Sequence, residues 1–464
     1  MIDFKNTEGI YFVGIGGIGM SALALYFSKG GFPVAGYDRS QSMITDSLGK
    51  AGCKIVFKDE VSLLPVFFRN VSDKTRALIV YTPAIPSECK ILSFFRENGY
   101  RLHKRSEILG ILSEHADTIA IAGTHGKTTV STMTAHLLKQ SHVDCSAFLG
   151  GISKNYDSNL LLGKSRYTVM EADEFDRSFH RLRPLMAVIT SLDADHLDIY
   201  GDQETMIRAY NEFCRKIRKG GKLIVNSSIK DKIIVPEGVG CFTYGMDNHA
   251  DYRAYDIEHV SDYYNFSIKT PYGKVEGLHF AFPGMINIEN FTAAIAIALM
   301  CGVQEEELRK AVLLFQGVRR RFDIRINIPG LTYIDDYAHH PEEIRACIKS
   351  VKEYFRGRRI TGIFQPHLFS RTRDHAGGFA EILDELDEPV ILPIYPAREK
   401  PIEGVTSEII LDKMKSPAKR LMRKEDIPGL LDVARLDVLI TIGAGDIDTL
   451  VKPIEDKIRR EMIR

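Results

Sequence analysis

The strongest chemical signal in this chain is Gly123-Thr124-His125-Gly126-Lys127-Thr128-Thr129. Two glycines followed by a lysine and two hydroxyl residues suit a loop that cradles phosphate. Backbone N–H groups at the start of a helix point at phosphate oxygens, and the helix dipole favours the anion. Lys127 would then lie against β- and γ-phosphates, and the Thr128 hydroxyl would serve a divalent cation. The general pattern puts its first glycine at position 121, where this chain has Ile121. Gly123 comes late, so the loop is shorter. The bland alternative is a strand–helix turn with an incidental lysine.

A second glycine loop, Gly14-Ile15-Gly16-Gly17-Ile18-Gly19, has Asp38 about twenty residues on, the spacing for a diphosphate and a ribose. A dinucleotide and a nucleotide-sugar both offer that group, and the spacing does not separate them. A purely structural turn is the plain alternative. Glu171-Ala172-Asp173-Glu174-Phe175-Asp176 follows an apolar run at 167–170. A carboxylate at such a strand end, beside a phosphate loop, is where a magnesium ligand is expected. Asp193-Ala194-Asp195-His196 repeats the arrangement, with His196 either a second-metal ligand or an ordinary histidine. Asp335-Asp336-Tyr337-Ala338-His339-His340-Pro341 joins another strand to a helix. Adjacent histidines on a turn rarely converge on one ion, and no cysteine cluster accompanies them, so no zinc is expected. The clusters Arg319-Arg320-Arg321 and Arg371-Thr372-Arg373 are solvated charges on an ordinary surface; in a phosphate-handling enzyme they steady developing charge.

These groups need strand ends to hold them, and the apolar runs supply candidates. Residues 10–13, 34–37 and 77–81 read as strands around a helix that follows the first glycine loop, a Rossmann-like βαβ alternation. Residues 103–117 read as a link. A second block has strands at 118–122, 167–170, 186–190 and 222–226, a helix over 130–138, and another over 287–300. Between them, 244–282 alternates polar and aromatic residues, as in Tyr263-Tyr264-Asn265-Phe266, and reads as a small antiparallel β insert. A third block has strands at 331–334, 360–364, 390–393 and 438–442, with helices over 341–354, around 375–386 and at the C-terminus. The reading is α/β, in three domains: 1–105, 106–316 and 317–464.

Composition bounds the remaining choices. At 464 residues, 44% hydrophobic and 26% charged, the chain is ordinary for globular protein. Lys and Arg total 61 and so do Asp and Glu, which argues against a general electrostatic hold on nucleic acid or an anionic membrane. The seven cysteines form no CxxC pair and read as reduced thiols in a cytoplasmic protein. No signal-like segment opens the sequence, and the most apolar run, 291–301, is shorter than a membrane span.

In this order, Gly-Thr-His-Gly-Lys-Thr-Thr, Glu-Ala-Asp-Glu, Asp-Asp-Tyr-x-His-His-Pro and Arg-Thr-Arg-Asp resemble the Mur ligase family of peptidoglycan synthesis, over essentially the whole chain. The resemblance implies a UDP-sugar-binding first domain, a central P-loop ATPase-like domain and a C-terminal Rossmann-like domain for the amino acid. It implies an ATP- and Mg²⁺-dependent ligase joining L-alanine to the carboxylate of UDP-N-acetylmuramate through an acyl phosphate, as monomer or homodimer. Carried over by position, Gly14, Gly16, Gly17, Ile18, Gly19 and Asp38 would hold the UDP moiety. Gly123 to Thr129 would hold ATP, with Thr128, Glu171 and His196 on magnesium. Asn287 and Asn290 match adenine-side asparagines, Asp336 a ribose-binding aspartate, and Arg321 an arginine near the phosphates. Tyr337, His339 and Arg371 match positions beside the amino acid and the muramate carboxylate, with His339 a candidate base.

Three positions depart from the family pattern: Ile286 stands where histidine is frequent, Ala338 for a glycine, and Leu368 for an arginine. No counterpart of the lysine that some sister ligases carbamylate can be placed. Gripping three substrates implies domain closure on binding. The competing readings are a sister ligase that attaches a preformed peptide to UDP-N-acetylmuramate, a Rossmann dehydrogenase, and a non-catalytic nucleotide-binding regulator.

Overall fold

The structure, a computed structural model, describes residues 4–193, 197–260, 263–282, 284–397 and 399–462. The first sheet comprises β1 (Gly9–Val13), β2 (Val34–Tyr37), β3 (Lys54–Val56), β4 (Ala77–Tyr81) and β5 (Leu102–Lys104). Its order is β3-β2-β1-β4-β5, with every pair parallel. β1 is buried throughout, which explains its unbroken apolar run; a strand covered on both faces has no polar side to show. Ile10 and Phe12 feed one core, Tyr11 and Val13 another, as the two-residue period of a strand requires. The chain leaves β1 on one side and returns on the other at β4, so a crevice opens where the strand order reverses.

The stretch 103–117 is more than a link. It holds the end of β5 and the helix Arg105–Glu114. The sequence signal is short, because Ile108 and Leu109 are buried by tertiary contact. A Cβ at Gly110 would stand 2.9 Å from the Arg181 carbonyl oxygen, so the helix packs closely on the turn at 175–181.

The central sheet runs β6 (Asp117–Ala122), β7 (Ser146–Ser153), β8 (Ser158–Leu161), β9 (Tyr167–Glu171), β10 (Met186–Ile189), β11 (Lys222–Asn226), β12 (Gly240–Gly245), β13 (Tyr252–Val260), β14 (Tyr263–Thr270) and β15 (Gly273–Phe280). Its order is β15-β14-β13-β12-β11-β10-β6-β9-β7-β8. β6 lies between β9 and β10, parallel to both. The insert strands β13 to β15 continue this sheet rather than forming a separate one, since β13 pairs with β12. One core cluster joins Phe12, Leu23 and Phe27 of the first domain to Ala120, Phe148 and Met170 of the second.

The third sheet is β16 (Asp323–Ile328), β17 (Leu331–Asp336), β18 (Ile360–Phe364), β19 (Glu388–Ile391), β20 (Arg420–Leu421) and β21 (Val438–Ile442). Its order is β16-β17-β21-β18-β19-β20. β16, absent from the sequence reading, pairs antiparallel with β17; its burial is mixed, so its pattern is weak. The helix Pro341–Tyr354 starts with Pro at the first turn and His340 as its cap. The helix expected from 375 begins earlier, at Phe369, and runs to Leu383. Its polar start, Ser370-Arg371-Thr372-Arg373, carries no apolar periodicity to announce it.

By contacts the chain forms two compact units. One is Met1–His259, Asn265–Phe280 and Glu289–Phe315; the other is Val260–Tyr264, Ala281–Ile288 and Gln316–Arg464. All seven cysteines are free, five of them buried.

Candidate active site

The phosphate loop leaves β6 and enters the helix Lys127–Lys139, with Gly126 in a left-handed conformation at the cap. Ile121, where the longer pattern has glycine, belongs to the strand and pairs with Glu171 of β9. Gly123 has φ +135°, and a Cβ there would stand 1.9 Å from Thr190 Oγ1. Only glycine fits that position. The residues after β10 brace the loop from the other side. Ser191 Oγ accepts from the His125 N–H at 2.8 Å and lies 2.9 Å from Thr124 Oγ1. The Asp193 N–H donates to Thr124 Oγ1 at 3.1 Å, and Thr190 Oγ1 donates to the His125 carbonyl. The helix's first N–H groups have no intrahelical acceptor and open onto this braced loop, beside Thr129. Asn290 is buried on the helix Met285–Met300, and its Oδ1 would lie 3.1 Å from a Cβ at Gly126.

Lys127 turns its ammonium onto its own loop and onto the acidic turn after β9. Nζ donates to the Gly123 carbonyl at 2.6 Å and the Thr124 carbonyl at 3.2 Å. It lies 2.9 and 2.8 Å from the two carboxylate oxygens of Glu174. Burial acts to lower the lysine's pKa, but the carboxylates of Glu174, Asp173 and Glu171 more than offset it and the net shift is upward. Thr128 Oγ1 donates to Glu171 Oε1 at 3.1 Å, and the Gly150 N–H donates to Glu171 Oε2 at the same distance. A Cβ at Gly150 would stand 2.2 Å from that oxygen. A hydroxyl and a carboxylate thus sit together at the loop, both hard oxygen donors of the kind Mg²⁺ takes with phosphate and water. The donor set fits that ion. His196 lies outside the described residues.

The first glycine loop is built differently. Its helix, Ile18–Lys29, starts behind Gly17. Asp38 accepts the Gly16 N–H at 2.8 Å through Oδ2 and the Ser40 N–H at 3.3 Å through Oδ1. Its carboxylate braces the loop from inside. A Cβ at Gly19 would stand 2.2 Å from Arg105 Nη1, and Arg105 Nη2 is 3.4 Å from Asp173 Oδ2. Sequence reading missed Arg105 and gave Glu174 no role. A cation at the end of a strand beside a glycine loop was the available signal for the first. The second lay inside a quoted motif, but its partner was 47 positions away.

In the C-terminal unit, Asp336 is buried and accepts the Phe322 N–H at 2.6 Å and the Ala338 N–H at 2.7 Å. Burial raises its pKa, opposed by Arg321 and these N–H groups. Asp336, like Asp38, accepts one N–H from its own turn and one from a distant segment. Ala338 is buried, and its φ is not positive, so the turn tolerates a Cβ. Arg320 and Arg321 lie over the Tyr337 ring at 5.1 and 5.0 Å. His339 Nδ1 is 3.0 Å from the Tyr337 carbonyl. A carbonyl can only accept, so Nδ1 carries the proton and Nε2 the lone pair. Burial lowers the His339 pKa, against the opposing pull of Glu343. Its ring meets that of His367 at 5.9 Å, and His367 stacks on Tyr395 at 5.8 Å. Arg371 stands in the first turn of the helix Phe369–Leu383, behind Leu368 at φ 70°. Asn287 is buried, and Ile286 is 44% exposed.

Comparison with known proteins gives consistent matches across the chain. Residues 9–116 match the Mur ligase family catalytic domain, 121–298 the Mur ligase middle domain, and 320–447 the Mur ligase glutamate ligase domain. The UDP-N-acetylmuramate–L-alanine ligase of Parabacteroides distasonis is 47% identical, covering 98% of both chains. That of Porphyromonas gingivalis is 50% identical, over 96% of this chain and 98% of its own. Among solved structures, the UDP-N-acetylmuramate–alanine ligase of Thermotoga maritima superposes with a TM-score of 0.81 at 26% identity, over 97% of this chain and 99% of that one. A murein peptide ligase from Psychrobacter arcticus shares the fold, with a TM-score of 0.73 at 22% identity.

Proposed function

The chain belongs to the Mur ligase family, and on that premise we propose that it joins L-alanine to the carboxylate of UDP-N-acetylmuramate at the expense of ATP, forming UDP-N-acetylmuramoyl-L-alanine, ADP and phosphate in the cytoplasm. The observation that carries this reading is the meeting of Lys127, Thr128 and Glu171 at the end of β6. A dehydrogenase has no use for such a phosphate loop. The relatives at 40–50% identity are alanine-adding enzymes, whereas the peptide-adding neighbour at 22% identity shares the fold alone. Free, mostly buried thiols fit a reducing compartment.

A carboxylate acylates poorly because its leaving group would be oxide. Its oxygen attacks the γ-phosphorus of ATP, the bond to the β-phosphate oxygen breaks, and ADP leaves. The α-amino group of L-alanine then attacks the acyl carbon, and phosphate departs from the tetrahedral intermediate. Phosphoryl transfer is mostly positioning plus charge stabilisation. Lys127 supplies positive charge against the β/γ oxygens, and the first-turn N–H groups orient them. Thr128 and Glu171 would hold Mg²⁺, which supplies further neutralisation of phosphate charge. The first glycine loop and its helix receive the diphosphate of the sugar nucleotide. Amine attack needs a neutral amino group, and His339 Nε2 is the atom to take the proton. Tyr337, Arg371 and Arg321 serve the carboxylates and phosphates.

The test is a phosphate-release assay with ATP, Mg²⁺ and UDP-N-acetylmuramate, run with L-alanine, glycine, L-serine and a preformed tripeptide. L-Alanine should give the highest kcat/KM. Glycine and serine should trail by 10–200-fold, since one methyl discriminates by about 1–3 kcal/mol. Preference for the tripeptide would overturn the assignment in favour of the peptide-adding ligase. Phosphate release with no acceptor preference would remove it altogether.

A further inference from the structure

Glu174 is one of the most deeply buried carboxylates among the described residues, at 1% exposure. Its neighbours allow it little freedom. The Glu174 carbonyl accepts the Tyr200 hydroxyl at 2.7 Å and the Arg177 N–H at 2.9 Å. The Phe179 N–H donates to the Asp173 carbonyl at 2.9 Å. Asp173 pairs with Arg105, and Asp176 with Lys104 at 2.6 Å. The turn closes through Asp176 and Arg177, two successive left-handed residues at φ 54° and 53°. Such strain persists where the surroundings over-determine it. From this turn the Glu174 side chain reaches inward to Lys127.

We infer that Glu174 is a positioning residue for Lys127, holding its ammonium at the phosphate loop both before and after ATP arrives. The reason is geometric. Both Glu174 oxygens lie within 2.9 Å of Nζ, with the carboxylate buried and only 14% of the lysine side chain exposed. Pulling Lys127 away to meet phosphate would leave the buried Glu174 carboxylate without this cation, which is strongly unfavourable. The other two acceptors of Nζ are backbone carbonyls of the loop. Those are the bonds that exchange for phosphate oxygens at little cost, so the lysine pivots about Glu174 rather than leaving it. Glu174 touches neither substrate nor the transferred phosphoryl group; it acts through the lysine.

This inference rests on Lys127 being the phosphate-binding residue, and a double-mutant cycle on kcat separates the two ideas. Lys127→Ala should lose about 10³-fold. Glu174→Gln keeps the shape and one acceptor but loses the charge, and a lysine misplaced by about 1 Å should lower kcat about 30- to 100-fold, with KM for ATP changed less than about threefold. In the double variant the losses should not multiply; kcat should stay within about threefold of Lys127→Ala alone. Glu174→Asp, which keeps the charge on a shorter arm, should recover part of the Glu174→Gln loss. It also serves if the glutamine variant folds poorly, as checked by thermal melting. Multiplying losses, an unchanged kcat in Glu174→Gln, or an aspartate variant no better than glutamine would each overturn the role of Glu174. Normal turnover in Lys127→Ala would instead overturn the phosphate-loop reading beneath it.

Discussion

The glycine loops at residues 14–19 and 123–129 share one scaffold and differ in where their charge comes from. Each leaves a buried parallel strand and caps a helix with glycine. The first is braced by a carboxylate, Asp38, and has a cation, Arg105, packed against Gly19 from outside. The second carries its own cation, Lys127, and is braced by neutral hydroxyls from Thr190 and Ser191. A loop of the first kind can hold a diphosphate that does not react. Transfer of a phosphoryl group needs positive charge held against the oxygens where charge shifts. The lysine, not the glycines, makes that difference.

The comparison breaks most visibly at Lys127. Its replacement by alanine should lower turnover about 10³-fold with the circular dichroism spectrum unchanged, whereas no single side chain of residues 14–19 should matter so much. Gly123→Ala comes next. Its Cβ would collide with Thr190 at φ +135°, so both stability and ATP use should fall; a loss of about 1–3 kcal/mol in denaturant unfolding is expected, with kcat/KM for ATP down about 10²-fold. Gly19→Ala would press its Cβ against the flexible side chain of Arg105, 2.2 Å from Nη1. It should raise KM for the sugar nucleotide about tenfold and leave KM for ATP alone. A loss of ATP binding in that variant would mean the two loops are not separate in function.

The effect expected to touch turnover least concerns pH and stability, and again divides the two loops. The helix after residues 123–129 contains His136, buried with Nε2 donating to the Ala311 carbonyl at 2.8 Å and Nδ1 accepting from the Tyr156 hydroxyl at 3.2 Å. Burial lowers its pKa from 6.5 to about 4, partly opposed by the Ala311 bond. The unfolded chain therefore takes up the proton first as the pH falls. Stability present above pH 6.5 is lost between there and about pH 4, by about 3 kcal/mol in all. The helix Ile18–Lys29 buries no titratable side chain. Chemical denaturation of His136→Asn across this range should show a flatter acid limb than the parent; an identical limb would assign the loss to other groups.

Much of the site could be read in the chain because its parts are local. Residues 123–129, the carboxylate at 171 and the turn from Asp335 to Pro341 each sit between a strand and a helix, and periodicity finds those junctions. The helix Pro341–Tyr354 and the strand Ile360–Phe364 fall where the pattern puts them. Failures came where tertiary context, not a local apolar pattern, makes the element. Helix Arg105–Glu114 read as a link, strand Asp323–Ile328 went unseen, and the helix holding Arg371 begins six residues before its expected start. Asp38 was placed near a ribose by spacing and Asp336 by resemblance; neither says which way a carboxylate faces, and both accept backbone N–H groups.

The order of residue types along the chain therefore determined the family, the three-domain α/β architecture and the position of the lysine proposed to bind phosphate, since strand, glycine turn and helix are encoded within a few neighbouring positions. Folding alone decided the pairings: Glu174 with Lys127, Arg105 with Gly19 and Asp173, Ser191 beneath the loop. Those contacts join residues tens of positions apart through the sheet order that sets β6 between β9 and β10. Strand order is a global packing outcome, fixed by which apolar faces bury each other, and no local period records it.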